Sequence, residues 1–396
     1  MTISRRLLGL GASAALIFAA CGPGASQAPS TGAATTPPAA TTPAATGVPA
    51  TQAAKYKACV AFDTGGLGDK GFNDLAKKGL EDAGAAGYET AFSEAQGSTD
   101  YEHNIQSLID QGCQTIVTVG FLQGSATAKA TLANPTIAFA QVDATWNSAG
   151  DDFTPGTADD PPPGVPANFT GLDYQVDQAA MLAGYLAASW TKTGKIGTYG
   201  GLAFPGVTRF MDGLLAGIKY YDEQKTKTVE LLGWTGDPDT GTFVGGSGGT
   251  DTWNDTGKGE SFAQTFINQG VDIVHPVAGE TGNGSIKTMS EKKLWAIGVD
   301  TDQYISIGPP TNSALLTSAQ KAIDVSVLDV INKNAGGDLG GEDYSGTLAN
   351  GGVLLSPFHD YDSQISAELK AELDALKAAI AAGTVKVCTY LPAGCA

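Results

Sequence analysis

The sequence predicts an α/β protein of two similar lobes around a cleft. Short β-like runs alternate with helical stretches between residues 57 and 299, the pattern of mostly parallel sheets covered on both faces. The alternation occurs twice, in halves separated by the Asp/Pro/Gly-rich segment 147–166, which reads as an inserted surface loop. Late apolar runs near 315 and 353 follow both halves, so the chain is expected to cross back between them.

Taken in order, 57–62 is a strand and 72–85 an amphipathic helix with Leu75 and Leu80 inward. A strand at 88–93 precedes a helix at 101–111 that buries Ile105, Leu108 and Ile109. Apolar strands follow at 115–119 and 136–142, the second led in by Asn134-Pro135. The second half has a helix at 177–190, a strand at 195–199, a helix at 207–221 and a strand at 229–234. After the Gly/Asp-rich loop 235–257 come a helix at 262–269 and strands at 271–277 and 294–299. A crossing strand at 315–317, a helix at 319–332, a last strand at 353–355 and an Ala/Leu/Lys/Glu-rich helix at 365–381 complete the chain. The first lobe is expected to span 55–172, with a return segment at about 301–335. The second is expected to span 173–300, with a segment at 350–396. Ligands of such sheets bind at the carboxyl ends of strands.

At 396 residues the chain can bury substantial cores, and 42% apolar with 16% charged residues excludes a disordered polyelectrolyte or a polytopic membrane protein. Acidic residues outnumber basic ones 41 to 23, for a formal charge of −18. Such a field repels phosphate backbones, so no nucleic-acid partner is expected and the ligand should be neutral or cationic.

Residues 1–20 read as an export signal: Arg5 and Arg6 are followed by an apolar run from Leu7 to Ala20, too short to span a hydrocarbon core of about 30 Å. Phe18-Ala19-Ala20-Cys21 resembles a bacterial lipobox, with Phe18 where Leu is usual, so Cys21 is the expected lipidation site. Ser4-Arg5-Arg6-Leu7-Leu8 also resembles a twin-arginine signal. From 22 to 54 there is no charged residue, and this Ala/Thr/Pro-rich stretch is expected to be an extended tether. The chain should therefore be exported and lipid-anchored to the outer face of the cell membrane, or periplasmic. Without Cys21, four cysteines remain, an even number suited to an oxidising compartment. Cys59 and Cys113 open strands that a parallel sheet could place side by side, and Cys388 and Cys395 bracket a short turn. The expected bridges are Cys59–Cys113 and Cys388–Cys395.

The first strand-to-helix turn, from Asp63 to Asn73, carries Gly66, Gly68 and Gly71 in a GxGxxG spacing, with Glu89 beyond it. Export, the negative field, and Asp69 inside a turn meant for a pyrophosphate argue against a dinucleotide. Instead, Asp63-Thr64-Gly65-Gly66 and Asp69-Lys70-Gly71-Phe72-Asn73 resemble the basic membrane protein (BMP) family of lipoproteins, with Gly71 in place of a usual Ser. The resemblance continues at 181–187, 193–197, 277–284, 295–303 and 316–325. Gln178, where an acidic residue is common, and the long loops 147–166 and 235–257 depart from it.

The resemblance implies a type I periplasmic-binding-protein fold of two Rossmann-like lobes joined by a hinge with multiple crossovers. It also implies a solute-binding protein of an ABC importer, with a permease as partner and a purine-type nucleoside as ligand. Phe72 and Phe210 would sandwich the base, a contact worth about 1–3 kcal/mol per base, although Phe204 lies close enough to compete for that role. Asn73 offers donor and acceptor to a purine edge, or alternatively caps a helix. Asp143 would accept from a ring N–H or amine. Asp300 and Lys321 would hold the ribose hydroxyls, Gly279 would let backbone approach the sugar, and Asp63 contacts the ligand or orients the loop.

No cofactor, metal ion or catalytic step is expected. Asp237-Pro238-Asp239-Thr240-Gly241 is suggestive of a calcium loop but lacks the distal Glu. His103, His275 and His359 are widely spaced, with no nucleophile motif beside them. Two other ligand classes stay open: a pentose or other small polar solute in the same fold, and an exported hydrolase acting on nucleosides.

Overall fold

A computed structural model of the chain describes residues 56–146, 161–246 and 248–395. The export signal, Cys21, the tether and most of the loop 147–166 lie outside the described residues. In the first lobe, β1 (Lys57–Phe62), α1 (Phe72–Ala85), β2 (Glu89–Glu94), α2 (Tyr101–Asp110), β3 (Thr115–Val119), α3 (Gly124–Ala133), β4 (Ala138–Val142) and β5 (Phe169–Tyr174) follow in order. The second lobe opens with α4 (Val176–Trp190), β6 (Lys195–Gly200), α5 (Pro205–Lys225), β7 (Glu230–Leu232), α6 (Thr250–Trp253) and α7 (Thr256–Asn268). It continues through β8 (Ile273–Val277), α8 (Gly279–Glu291), β9 (Trp295–Asp300), α9 (Gln303–Ile307) and β10 (Leu315–Lys321). The chain then returns as α10 (Ile323–Ala335) and β11 (Tyr344–Gly346), and ends in the second lobe with β12 (Val353–Leu355) and α11 (Ala367–Ala381).

The described residues form two six-stranded sheets, ordered β11-β5-β4-β3-β1-β2 and β12-β10-β9-β8-β6-β7. The first is parallel throughout. In the second, only β12 runs antiparallel, on β10. Strands β3, β4 and β8 are buried at every position, which is why they read as continuous apolar runs rather than alternating ones. Helices cover both faces. Within the second lobe, α4 and α5 pack so closely that a Cβ on Gly217 would lie 2.1 Å from the Met181 carbonyl oxygen, and one on Gly184 2.3 Å from that of Leu214. Glycine there is a packing requirement, not a helix preference.

Both expected disulfides are present. Because β1 and β3 are hydrogen-bonded neighbours, Cys59 and Cys113 stand with Cα atoms 6.0 Å apart. Cys388 and Cys395 close the short C-terminal loop.

The return segment differs from the expected 301–335. Residues 315–321 are a strand of the second sheet, paired with β9 from Leu315↔Ala296 to Gln320↔Asp300. Ala319, Gln320 and Lys321 are individually good helix formers, which favours a helix from 319, but pairing with β9 overrides propensity. The helix starts at Ile323 and packs on α1 in the first lobe. The sequence reading also lacks α3, β5, α8, the short helices α6 and α9, and the short strand β11. α3 is made of small residues with little amphipathic contrast, and α8 begins in glycines.

Candidate functional site

The carboxyl ends of both sheets face one another across a cavity, and all eight sequence-derived candidates line it. Asp63 follows β1, Asp143 follows β4, Gly279 opens α8, and Asp300 and Lys321 end β9 and β10. Phe72 and Asn73 begin α1, and Phe210 lies on α5. Asp143 and Asp300 have positive φ values of 60° and 62°. A non-glycine residue is rarely held there, and both carboxylates sit at the cavity wall.

On the first lobe the turn is organised by carboxylates. Asp69 accepts hydrogen bonds from the backbone N–H of Gly71 (2.9 Å), Asn73 (2.8 Å) and Asp74 (3.2 Å), closing the first turn of α1. Gly71 is the N-cap residue, so Asn73 is not the cap that its sequence position also allowed. Instead Asn73 Nδ2 donates to Asp63 Oδ1 at 2.9 Å and to Asp69 Oδ2 at 3.3 Å. Its donors are thereby occupied, and the buried Asn73 Oδ1 has no hydrogen-bond partner. That oxygen requires an N–H or O–H donor to offset its burial. Burial pushes the Asp63 carboxyl up to about 6 and Asp69 up to about 7, against the hydrogen bonds from Asn73 and its neighbours.

Lys321, 2% exposed at its side chain, is central to the opposite wall. Its ammonium lies 2.6 Å from Asp143 Oδ2 and 3.4 Å from Asp300 Oδ1. The sequence reading pairs Lys321 with Asp300; its closest carboxylate is Asp143, from the other lobe, so the tighter ion pair spans the cleft. Burial pushes Asp143 up to about 6, with Lys321 opposing the rise. Burial works against the Lys321 charge, yet Asp143 and Asp300 together hold its pKa above the usual lysine value. The same nitrogen lies 5.3 Å from the Phe72 ring centre and 4.8 Å from that of Phe210, so aromatic rings from both lobes border one space. Phe204 is not part of this pair: it stacks on Phe121 with ring centres 3.4 Å apart.

Asp69, Phe121, Trp253 and Glu280 also line the cavity without being among the candidates. Phe121 just follows β3, where a strand-end rule could have found it. Trp253 lies in the Gly/Asp-rich loop 235–257, and its one sequence signal is an indole in the polar, glycine-rich run 245–257. The lobes are tied together around the cavity. Asn283 Nδ2 donates to the Asp69 carbonyl at 3.1 Å, and Ser306 Oγ to that of Lys70 at 2.7 Å. At the first crossover, the Arg209 guanidinium donates to Asp173 Oδ1 at 2.5 Å and to the Tyr174 carbonyl at 3.1 Å. With one ammonium among five acidic side chains, the cavity suits a neutral or cationic molecule rich in N–H and O–H donors, with a flat apolar face.

Among the described residues no group of His, Cys, Asp and Glu is placed to hold a metal ion, and no helix is long and apolar enough to cross a membrane. Residues 56–244 and 247–388 match the sequence profile of the Bmp family, described as ABC transporter substrate-binding protein PnrA-like. The chain is 28% identical over 320 residues to the ABC transporter nucleoside-binding protein BmpA of Lactococcus lactis subsp. cremoris, covering 76% of this chain and 81% of that protein. It is 30% identical over 258 residues to basic membrane protein B of Borrelia garinii subsp. bavariensis, covering 63% and 66% of the two chains. In three dimensions it is similar to an ABC transporter solute-binding protein of Aeropyrum pernix K1, with a TM-score of 0.69 and 23% identity over 84% of this chain and 92% of the other.

Proposed function

As a member of the Bmp family of ABC transporter substrate-binding proteins, this chain has a small-molecule ligand and a permease partner, and we propose that the ligand is a purine-type nucleoside. The observation that carries this reading is the pair of rings, Phe72 from one lobe and Phe210 from the other, bordering the same space as the buried Lys321–Asp143–Asp300 cluster. A purine offers two apolar faces to such rings. Its edge supplies the N–H donor that the unpartnered Asn73 Oδ1 needs, and its ribose diol can both donate to Asp300 and accept from Lys321. One relative, named as nucleoside-binding, supports the same ligand class.

The mechanism is a clamp. A ligand that touches both lobes favours the arrangement in which they meet over it, and the permease reads that arrangement. Recognition needs no chemical step, since carboxylates, amide and ammonium all act by holding hydrogen bonds. We further propose that Cys21 carries a lipid anchor, from which the tether 22–54 extends the lobes away from the outer membrane face.

Isothermal calorimetry on the full chain tests the ligand. Guanosine, adenosine and inosine should each titrate to one site per chain. Phe72→Ala should weaken binding by about 5- to 150-fold, the equivalent of about 1–3 kcal/mol of stacking. Saturable heat from ribose or xylose, with none from any nucleoside, would overturn the reading in favour of a sugar.

A further inference from the structure

The loop 235–257 is long, and its last turns do not stay on their own lobe. The Gly248 carbonyl accepts two hydrogen bonds, one from Thr64 Oγ1 of the first lobe at 2.6 Å and one from the Trp253 indole N–H at 2.8 Å. Thr64 is itself held by the Tyr101 hydroxyl at 3.3 Å. One residue beyond the indole, Asn254 Nδ2 donates to the Gly65 carbonyl at 2.8 Å and to Glu280 at 3.3 Å. Thr64 and Gly65 belong to the turn that carries Asp63 and leads to Phe72. Gly248, which accepts the indole N–H, and Asn254, the residue after Trp253, are thus both held by the opposite lobe.

The seat of the indole is cleared in advance. A Cβ on Gly201 would lie 2.1 Å from its ring, so only glycine leaves room for the indole there. The Phe121 ring meets it edge-on, with centres 6.4 Å apart. The indole borders the same cavity as Phe72 and Phe210. A ring at the end of the short helix α6, with its N–H paired, a glycine against its face and an aromatic at its edge, is held in one orientation.

We infer that Trp253 is a further ligand-positioning wall, set in place only when the Thr64–Gly248 and Asn254–Gly65 contacts form across the cleft, and that it governs how long a ligand stays. The inference concerns the same site as the proposed nucleoside reading and rests on it for the choice of probe. A wall completed by closure does not hinder entry; it slows escape.

Two measurements on the full chain test it. In stopped-flow displacement with guanosine, and with ribose as the second probe, Trp253→Ala should raise the dissociation rate at least tenfold while association changes less than threefold. Trp253→Phe, which keeps an aromatic ring but loses the N–H, should fall between, and Thr64→Val should also speed dissociation. Dissociation within twofold of wild type in both Trp253→Ala and Thr64→Val would overturn the inference. Independently of any ligand, acrylamide quenching of Trp253, taken as the difference between wild type and Trp253→Phe, should increase severalfold when Thr64→Val is combined with Asn254→Ala. Unchanged quenching would show that the first lobe does not place the indole. Ribose binding without guanosine binding would refute the nucleoside reading alone, with the same rate comparison then deciding the role of Trp253 on ribose.

Discussion

Lys321 joins the charged and aromatic parts of the cavity. Its ammonium is shared between Asp143 and Asp300 and faces two phenylalanine rings, all with little solvent. Removing only the cation leaves two buried carboxylates together. Lys321→Met should therefore lower the unfolding free energy by about 3–5 kcal/mol in urea titrations, and adding Asp143→Asn should restore part of it. A loss below about 1 kcal/mol would show that the cluster is solvated. The carboxylates also predict a pH dependence. Asp63, Asp69 and Asp143 have folded values raised to about 6, 7 and 6, so between about pH 4 and 7 the folded state binds more protons than the unfolded one. Stability should then rise as pH falls from 8 to 6. His275, lowered to about 4 by burial, opposes this only below about pH 6.5, the ordinary histidine value. The melting temperature should be higher at pH 6 than at pH 8, and Asp69→Asn should flatten the difference. An equal or lower value at pH 6 would contradict the assignment. At this scale much of the cavity wall was legible, because the Asp63–Asn73 turn is contiguous and Asp143, Gly279, Asp300 and Lys321 fall at strand ends or in the family-like segments. The Asp143–Lys321 pairing was not, since it joins residues 178 apart across two lobes.

Element by element, the fold follows from two patterns that survive translation into structure. Continuous apolar runs became buried parallel strands with bounds close to those expected, as at Lys57–Phe62, Thr115–Val119 and Ala138–Val142. Amphipathic stretches became helices, as at Phe72–Ala85. What failed were elements whose local composition carries little contrast, such as the small-residue helix Gly124–Ala133, and β10, whose strand identity comes from its partner β9 rather than from its own residues. The disulfide between Cys59 and Cys113 was readable because adjacent parallel strands start at the same edge. It closes a loop with a sequence separation of 54, so replacing both residues by serine should cost about 4 kcal/mol on the chain-entropy model. Guanidinium titration of the Cys59→Ser/Cys113→Ser variant measures it, and an unchanged midpoint would mean that the neighbouring strands alone set the local stability.

Over the whole molecule, two sheets with matching strand order share one continuous chain, and the crossings near Tyr174–Val176, Lys321–Ile323 and Gly346–Val353 join them as a hinge rather than a loose linker. Such a design lets a ligand between the lobes set their relative position, and the acidic cavity selects against anions. The central claim is that one flat, donor-rich molecule is gripped by both lobes at once. A crystal structure of the full chain grown with guanosine tests this most directly. Electron density is expected for the purine between the Phe72 and Phe210 rings and for the ribose beside Asp300 and Lys321. Density for guanosine contacting one lobe alone, or lying away from those rings, would contradict it.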